Sequence, residues 1–169
     1  DLVIEFADFT RYSLRSEGDY TTLEEELSAI ERYVLLEKAR FEDRIHVDLR
    51  IAPEVLSLQI PFLAVQPLVE NAVRHGLHSE SGTGHVILSA RDADTHAEIS
   101  VEDDGVGADP AFMAQILAGE AEGSHIGLRN VDARLRHLYA DMAGVRLDPV
   151  PARGSLGTPW LPARRWETV

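Results

Sequence analysis

Residues 66–76 read Gln66-Pro67-Leu68-Val69-Glu70-Asn71-Ala72-Val73-Arg74-His75-Gly76, and the alternation of these side chains decides the fold. Wound as a helix of about 3.6 residues per turn, the stretch puts Val65, Leu68, Val69, Ala72, Val73 and Leu77 on one apolar arc. Asn71, Arg74, His75 and His78 cluster on the opposite side. An amide, a guanidinium and two imidazoles thus share one stripe of a helix whose other face needs a layer to cover it.

A second stretch, Glu102-Asp103-Asp104-Gly105-Val106-Gly107, ends a strand. The alternation of Ala97, Ile99 and Val101 carries Asp103 onto the same inward face. A carboxylate there is costly to bury unless a donor meets it, and the exocyclic amino group of adenine is such a donor. Gly105 and Gly107 let the backbone turn sharply and come close to a ligand. Taken alone, the stretch reads more readily as a turn rich in Asp and Gly.

The surrounding pattern predicts strands at about 45–51, 85–91, 96–103, 144–149 and 157–161, a helix at about 61–77 and another at about 127–140. Paired strands without intervening helices point to a mixed sheet, in a two-layer α/β (α+β) sandwich. Thr22 followed by Glu25 forms a capping box for a helix whose apolar positions Leu23, Leu27, Ile30 and Val34 run on to Phe41. The chain opens on apolar residues at helical spacing (Leu2, Phe6, Phe9, Leu14) with no cap before them, so a longer helix and a fragment of a longer protein are expected. His46 falls in an alternating strand and is expected to face solvent.

With 169 residues, 44% of them hydrophobic, the chain is long enough for one well-buried core plus a helical extension. No apolar run approaches the roughly 18 residues of a membrane span, and no cleavable signal pattern opens the chain. Cysteine is absent, which rules out a disulfide framework and suits a reducing compartment. A net charge of −13 with no basic stripe argues against nucleic acid as a partner.

The two stretches resemble the N box and first glycine box of the GHKL superfamily, which groups DNA gyrase, MutL, a heat-shock chaperone family and the sensor histidine kinases. The nearest likeness is to the LytS/YehU-type sensor histidine kinases. Arg11 to Leu14, Leu23 to Leu27, Arg40 to Arg44 and Gln66 to Gly76 follow that branch's motifs, so the resemblance runs from about residue 9 to 162. It implies the Bergerat ATP-binding fold over residues 43–165. Residues 1–42 would be the end of a helical dimerisation and phosphoacceptor region with its linker helix.

The resemblance also implies site residues. Asn71 would offer its amide oxygen to Mg²⁺, Asp103 would meet adenine, and Gly105, Gly107, Gly127 and Leu128 would bring backbone to the nucleotide. Two readings of Arg74 stand: a fork onto phosphate oxygens, or an i,i+4 pair with Glu70. His75 is either a phosphate or lid contact or a C-terminal helix group; His78 lies past Gly76 and reads as solvated. Glu70 either orients the acceptor imidazole or a Mg²⁺ water, or is a surface carboxylate. Asp109-Pro110 should start a short helix through Ile116, and the acidic run Gly119 to Gly123 should form a flap over ATP. Gly127 opens a helix whose free N–H groups suit an anion. Thr158 lies in a final Gly-x-Gly-Thr element that reads otherwise as a plain turn.

Three departures stand out. His125 replaces the usual glycine of the second glycine box. Pro159 follows Thr158 where a strand N–H is expected, a difference an edge position or shifted register would reconcile. Pro67 occupies the place, one turn before Asn71, where the superfamily's hydrolases carry a general-base Glu.

The reading is therefore the ATP-binding catalytic region of a two-component sensor histidine kinase, passing the γ-phosphoryl of ATP to a His. None of the seven histidines lies in the family's acceptor motif, so that His is expected upstream and this chain is not expected to label itself. The resemblance implies a response regulator downstream, the protein's own phosphoacceptor helices and a homodimer as partners. It places this region in the cytoplasm, with any membrane anchor upstream. Two rivals remain: a GHKL ATPase that hydrolyses ATP, and a non-catalytic nucleotide-binding or dimerisation module.

Overall fold

The computed structural model describes residues 20–41, 44–77, 82–94, 96–105, 111, 114–115, 118, 126–139, 143–150 and 154–162. Strand β1 (Tyr20–Thr22) leads directly into helix α1 (Leu23–Phe41), followed by β2 (Ile45–Ile51), a 3-10 turn (Pro53–Val55) and β3 (Gln59–Pro61). Helix α2 (Gln66–Gly76) is followed by β4 (Gly84–Asp92), β5 (His96–Asp103), helix α3 (Ile126–Tyr139), β6 (Gly144–Val150) and β7 (Gly154–Pro162).

Five strands form one sheet in the order β2-β4-β5-β7-β6. The β2–β4 pair is parallel and the other three are antiparallel, so the sheet is mixed as the pattern predicts. β1 and β3 form a separate antiparallel pair. Strands of three residues carry too little periodicity to be read from sequence, and both went unforeseen.

One face of the sheet is covered by helices. Val86, Leu88 and Ala90 of β4 and Ile99 and Val101 of β5 meet Leu68, Val69, Ala72 and Val73 of α2 and Val131 and Leu135 of α3 in one core. Leu23, Leu27, Ile30 and Val34 of α1 join it. The capping box at the start of α1 is present: the Glu25 N–H donates to Thr22 Oγ1 at 3.1 Å, and the Thr22 N–H donates to Glu25 Oε2 at 3.3 Å.

Helix α2 is shorter than its apolar pattern suggests. It begins at Gln66, with Pro67 at its first turn, instead of near residue 61, because residues 59–61 pair with β1 and Pro67 supplies the helix start. Its other end crosses β4 at backbone contact: a Cβ added to Gly84 would lie 2.5 Å from the Gly76 carbonyl carbon. No side chain fits between them, so the pair of glycines sets the seating of α2 on the sheet.

The start of α2 has no side-chain cap of its own. Glu26 of α1, fully buried, fills that role: its Oε1 accepts from the Val65 N–H at 2.7 Å and the Gln66 N–H at 2.9 Å. A carboxylate there satisfies orphan N–H groups and meets the positive end of the helix dipole. Glu26 lies on the same stripe as Leu23 and Ile30, a placement the apolar pattern allowed but did not single out. Burial pushes its pKa up to about 7, against the lowering effect of the Gln66, Val65 and Ala64 N–H groups and the Arg134 charge.

Because the folded pKa lies above the ordinary carboxylate value of 4.5, the folded state between the two holds a proton that the unfolded chain has lost. That contribution is complete below pH 4.5 and is lost as pH rises through about 7. Glu26→Gln removes the titration. Chemical denaturation across pH should therefore show the wild type losing about 3 kcal/mol relative to Glu26→Gln between pH 4.5 and 8. A pH-independent difference contradicts the assignment.

Candidate functional site

The C-terminal end of β5 is where the predicted residues converge. Ala97, Ile99, Val101 and Asp103 alternate inward, all buried, so the strand carries the Asp103 carboxylate to the edge of the core at 3% exposure. Its Oδ1 accepts the Gly105 N–H at 2.9 Å, and its Oδ2 lies 3.9 Å from Nδ1 of His75 on α2. A buried carboxylate held by a backbone donor keeps lone pairs for a further donor.

Asn71 stands one helical turn before His75, its Nδ2 3.5 Å from the His75 Nδ1. Both side chains are half-buried. Gly105 closes the arrangement: a Cβ there would lie 2.7 Å from the His75 carbonyl oxygen and 2.8 Å from Asp103 Oδ1. The turn after β5 therefore runs against the end of α2, and only glycine permits that approach. Beside it, Asp104 ties the turn to β4, accepting the His85 N–H at 2.7 Å while its own N–H donates to the His85 carbonyl at 3.1 Å.

Other candidates fall elsewhere. Arg74, which the helical projection grouped with Asn71 and His75, and Glu70 both lie off that stripe. They face α1, where with Tyr33, Arg40, Phe41 and Val73 they line a cleft of about 520 Å³. One residue on a helix turns a side chain by about 100°, enough to divide four neighbouring polar positions between two grooves. Glu70 also accepts the Gln66 Nε2–H at 2.8 Å.

Gly127 lies in the first turn of α3, and a Cβ there would be 3.3 Å from Pro67 Cβ, so the starts of α2 and α3 meet at that proline. Leu128 is buried in the core, which leaves its backbone as the group able to meet a ligand. Thr158 follows Gly157, which pairs with Val101, and so sits at a register position beside β5. Gly107, His78 and His125 lie outside the described residues. Of the expected lid helix, Ala111, Ala114 and Gln115 are described, and all three are helical, as is Ala118 beyond its expected end.

Pro159 is accommodated differently from expectation. β7 is flanked by β5 and β6, so it is no edge strand, and its register is unshifted on both sides. The pairing with β5 lapses instead between Glu98↔Trp160 and Val101↔Gly157, opposite Thr158 and Pro159. A residue without an N–H costs a ladder bond, and here the ladder opens around it. His46 is exposed as expected, and its ring stacks on His85 at 5.0 Å between centroids.

Two supporting residues were not anticipated. Arg134 of α3 donates from Nη2 to the Leu63 carbonyl at 2.7 Å. Asp132 is buried and accepts the Val145 N–H at 2.7 Å and the Arg136 Nε–H at 2.8 Å, stitching α3 to β6. Both lie inside a helix with three Arg and one Asp, where spacing does not tell a buried tie from a surface charge.

The mixed sheet under three helices, with an Asp and Gly turn against an Asn-bearing helix, defines a GHKL-type nucleotide-binding fold. Residues 58–165 match the family model for histidine kinase-, DNA gyrase B- and HSP90-like ATPases, and this chain belongs to that family. Residues 1–45 match the histidine kinase model.

Among curated relatives, the sensor histidine kinase YpdA of Escherichia coli K12 is 36% identical over 150 residues, 88% of this chain and 26% of that protein. The sensor protein LytS of Streptococcus mutans is 30% identical, over 86% of this chain and 26% of its own length. The chain thus spans about a quarter of these relatives. Among solved structures, the catalytic domain of histidine kinase ThkA superposes with a TM-score of 0.65 at 14% identity, covering 85% of this chain and 95% of that one. The histidine kinase AdeS of Acinetobacter baumannii gives 0.61 at 14% identity, over 97% of this chain and 76% of that one. At such identities the likeness speaks for the fold. Among the described residues, no helix is long and apolar enough to cross a membrane.

Gly105→Ala tests the packing at the strand end. The new methyl must displace either the α2 carbonyl or the Asp103 side chain, so denaturant unfolding should show a loss of about 1–3 kcal/mol. Unchanged stability contradicts the close approach.

Proposed function

We propose that this chain is the ATP-binding catalytic region of a two-component sensor histidine kinase, with residues 43–165 as the nucleotide-binding domain and residues 1–42 as the end of its helical dimerisation region. The observation that carries the reading is Asp103. A buried carboxylate at the end of β5, held on one oxygen by the Gly105 N–H and with the other 3.9 Å from the His75 imidazole, is an acceptor of the kind that the amino group of adenine requires.

Asn71 is the residue placed to hold a divalent cation, through its neutral amide oxygen. The donor set suits Mg²⁺: among the described residues no three His, Cys, Asp or Glu converge, so the ion would take its other oxygens from phosphates and water. Bound there, Mg²⁺ would offset the phosphate charge and help hold the chain in line for transfer. His75, beside Asn71, is positioned to contact a phosphate. The leading N–H groups of α3, at Gly127 and Leu128, supply a helix start for the same anion. Thr158, beside β5, would complete the pocket near adenine. Glu70 and Arg74, on the α1 side, are placed for contact with the helical region; neither is assigned a phosphate here.

Phosphoryl transfer breaks the bond between the β-bridging oxygen and the γ-phosphorus and forms one to an imidazole nitrogen, with ADP as leaving group. The acceptor His would lie outside these 169 residues. What this chain contributes is alignment and charge stabilisation. Hydrolysis is disfavoured, because the place of a water-activating carboxylate is taken by Pro67, packed near Gly127. A response regulator would receive the phosphoryl group, and the region would work in the cytoplasm as part of a homodimer.

Titration calorimetry with a non-hydrolysable ATP analogue tests the reading. The wild type should bind saturably and more tightly with Mg²⁺ than with EDTA. Asp103→Ala should lose binding under both conditions, whereas Asn71→Ala should lose chiefly the Mg²⁺ enhancement. Equal losses in Asn71→Ala with and without Mg²⁺ contradict the metal assignment.

A further inference from the structure

The segment entering α2 is held from two sides. Leu63 has a φ of 57°, a left-handed conformation that residues with a side chain rarely adopt. Arg134 of α3 holds its carbonyl at 2.7 Å. Two and three residues later, the N–H groups of Val65 and Gln66 both donate to Glu26 Oε1 of α1. Ala64 and Val65 are fully buried, so water is not at hand to replace these bonds. Asn71 follows Gln66 by five residues, about 7.5 Å along the same rigid helix.

We propose that Glu26 is a positioning residue for Asn71: by binding the two leading N–H groups of α2 it fixes where that helix starts, and so links the position of α1 to the nucleotide site. The inference rests on the nucleotide reading of Asn71 and adds to it a route from the helical region. A helix behaves as a rod, so a shift of its first turn is passed to Asn71 and His75 with little loss. The other end of α2 is seated on Gly84, which leaves tilt about that contact as the available movement. α1 is thus tied to α2 by a directional polar contact in addition to apolar packing, which alone would tolerate sliding. By linkage, whatever α1 does to nucleotide affinity, nucleotide must do to the α1–α2 contact.

The test compares wild type, Glu26→Gln, Glu26→Asp, Glu26→Ala and, as a surface control on the same helix, Glu24→Ala. Each is titrated with the Mg²⁺-bound ATP analogue, with hydrogen exchange followed at the Val65 and Gln66 amides. Gln keeps the accepting oxygen at the same reach and should bind within about threefold of wild type; Glu24→Ala should match wild type. Asp, one methylene shorter, and Ala should weaken binding about tenfold or more, with faster exchange at both amides. In the wild type, bound analogue should slow exchange at those amides. Should Glu26→Ala fail to fold, the contrast between Gln and Asp decides. A folded Ala or Asp variant with wild-type affinity overturns the proposal, as does a Gln variant as weak as Ala. Failure of the wild type to bind refutes the nucleotide reading itself and removes the site that Glu26 is proposed to serve.

Discussion

The candidate site depends on how α2 lies across the sheet, and that is set by backbone contact between Gly76 and Gly84. At this crossing even a methyl group would overlap the opposing main chain. Close seating brings the last turn of α2 against the turn after β5, where Gly105 repeats the same requirement on the His75 carbonyl. Asp103, Asn71 and His75 come together because two pieces of backbone can touch. Larger residues at either glycine would open the site from below.

Around that crossing, several polar groups that the fold buries are paired across elements. Glu26 joins α1 to α2, Arg134 joins α3 to the segment before α2, and Asp132 joins α3 to β6. Each leaves an orphan donor or acceptor if removed, which is a larger loss than a neutral contact of the same area. The apolar core supplies most of the stabilisation without specifying register. The Glu26 and Arg134 ties bear on how the three helices stand relative to one another, and both act on α2, which bears Asn71, or on the segment leading into it.

Much of this was legible in the sequence because it depends on periodicity. The inward alternation through Asp103, the apolar arc of α2, the capping box at Thr22 and Glu25, and the extents of β2 and β5 all follow from spacing alone. What was not legible depends on three-dimensional neighbours. The pattern of α2 could not say that residues 59–61 would be taken by pairing with β1, nor that Arg74 and His75 would face different grooves. Glu26 was hidden for a related reason: among three consecutive glutamates only the packing shows which one turns inward. Pro159 shows the limit of a local rule, since a break in one ladder accommodates it inside the sheet.

The two faces of α2, one toward the α1 cleft and one toward Asp103, give the central claim its most direct test. ¹⁵N-resolved chemical shifts of the protein, recorded while the Mg²⁺-bound ATP analogue is added, report which face the nucleotide occupies. The account predicts saturating shifts at the Asn71 side-chain amide, Asp104, Gly105 and Gly127, with small changes along Tyr33 to Phe41. Shifts confined to the α1 cleft, with Asn71 and Gly105 unmoved, would contradict it.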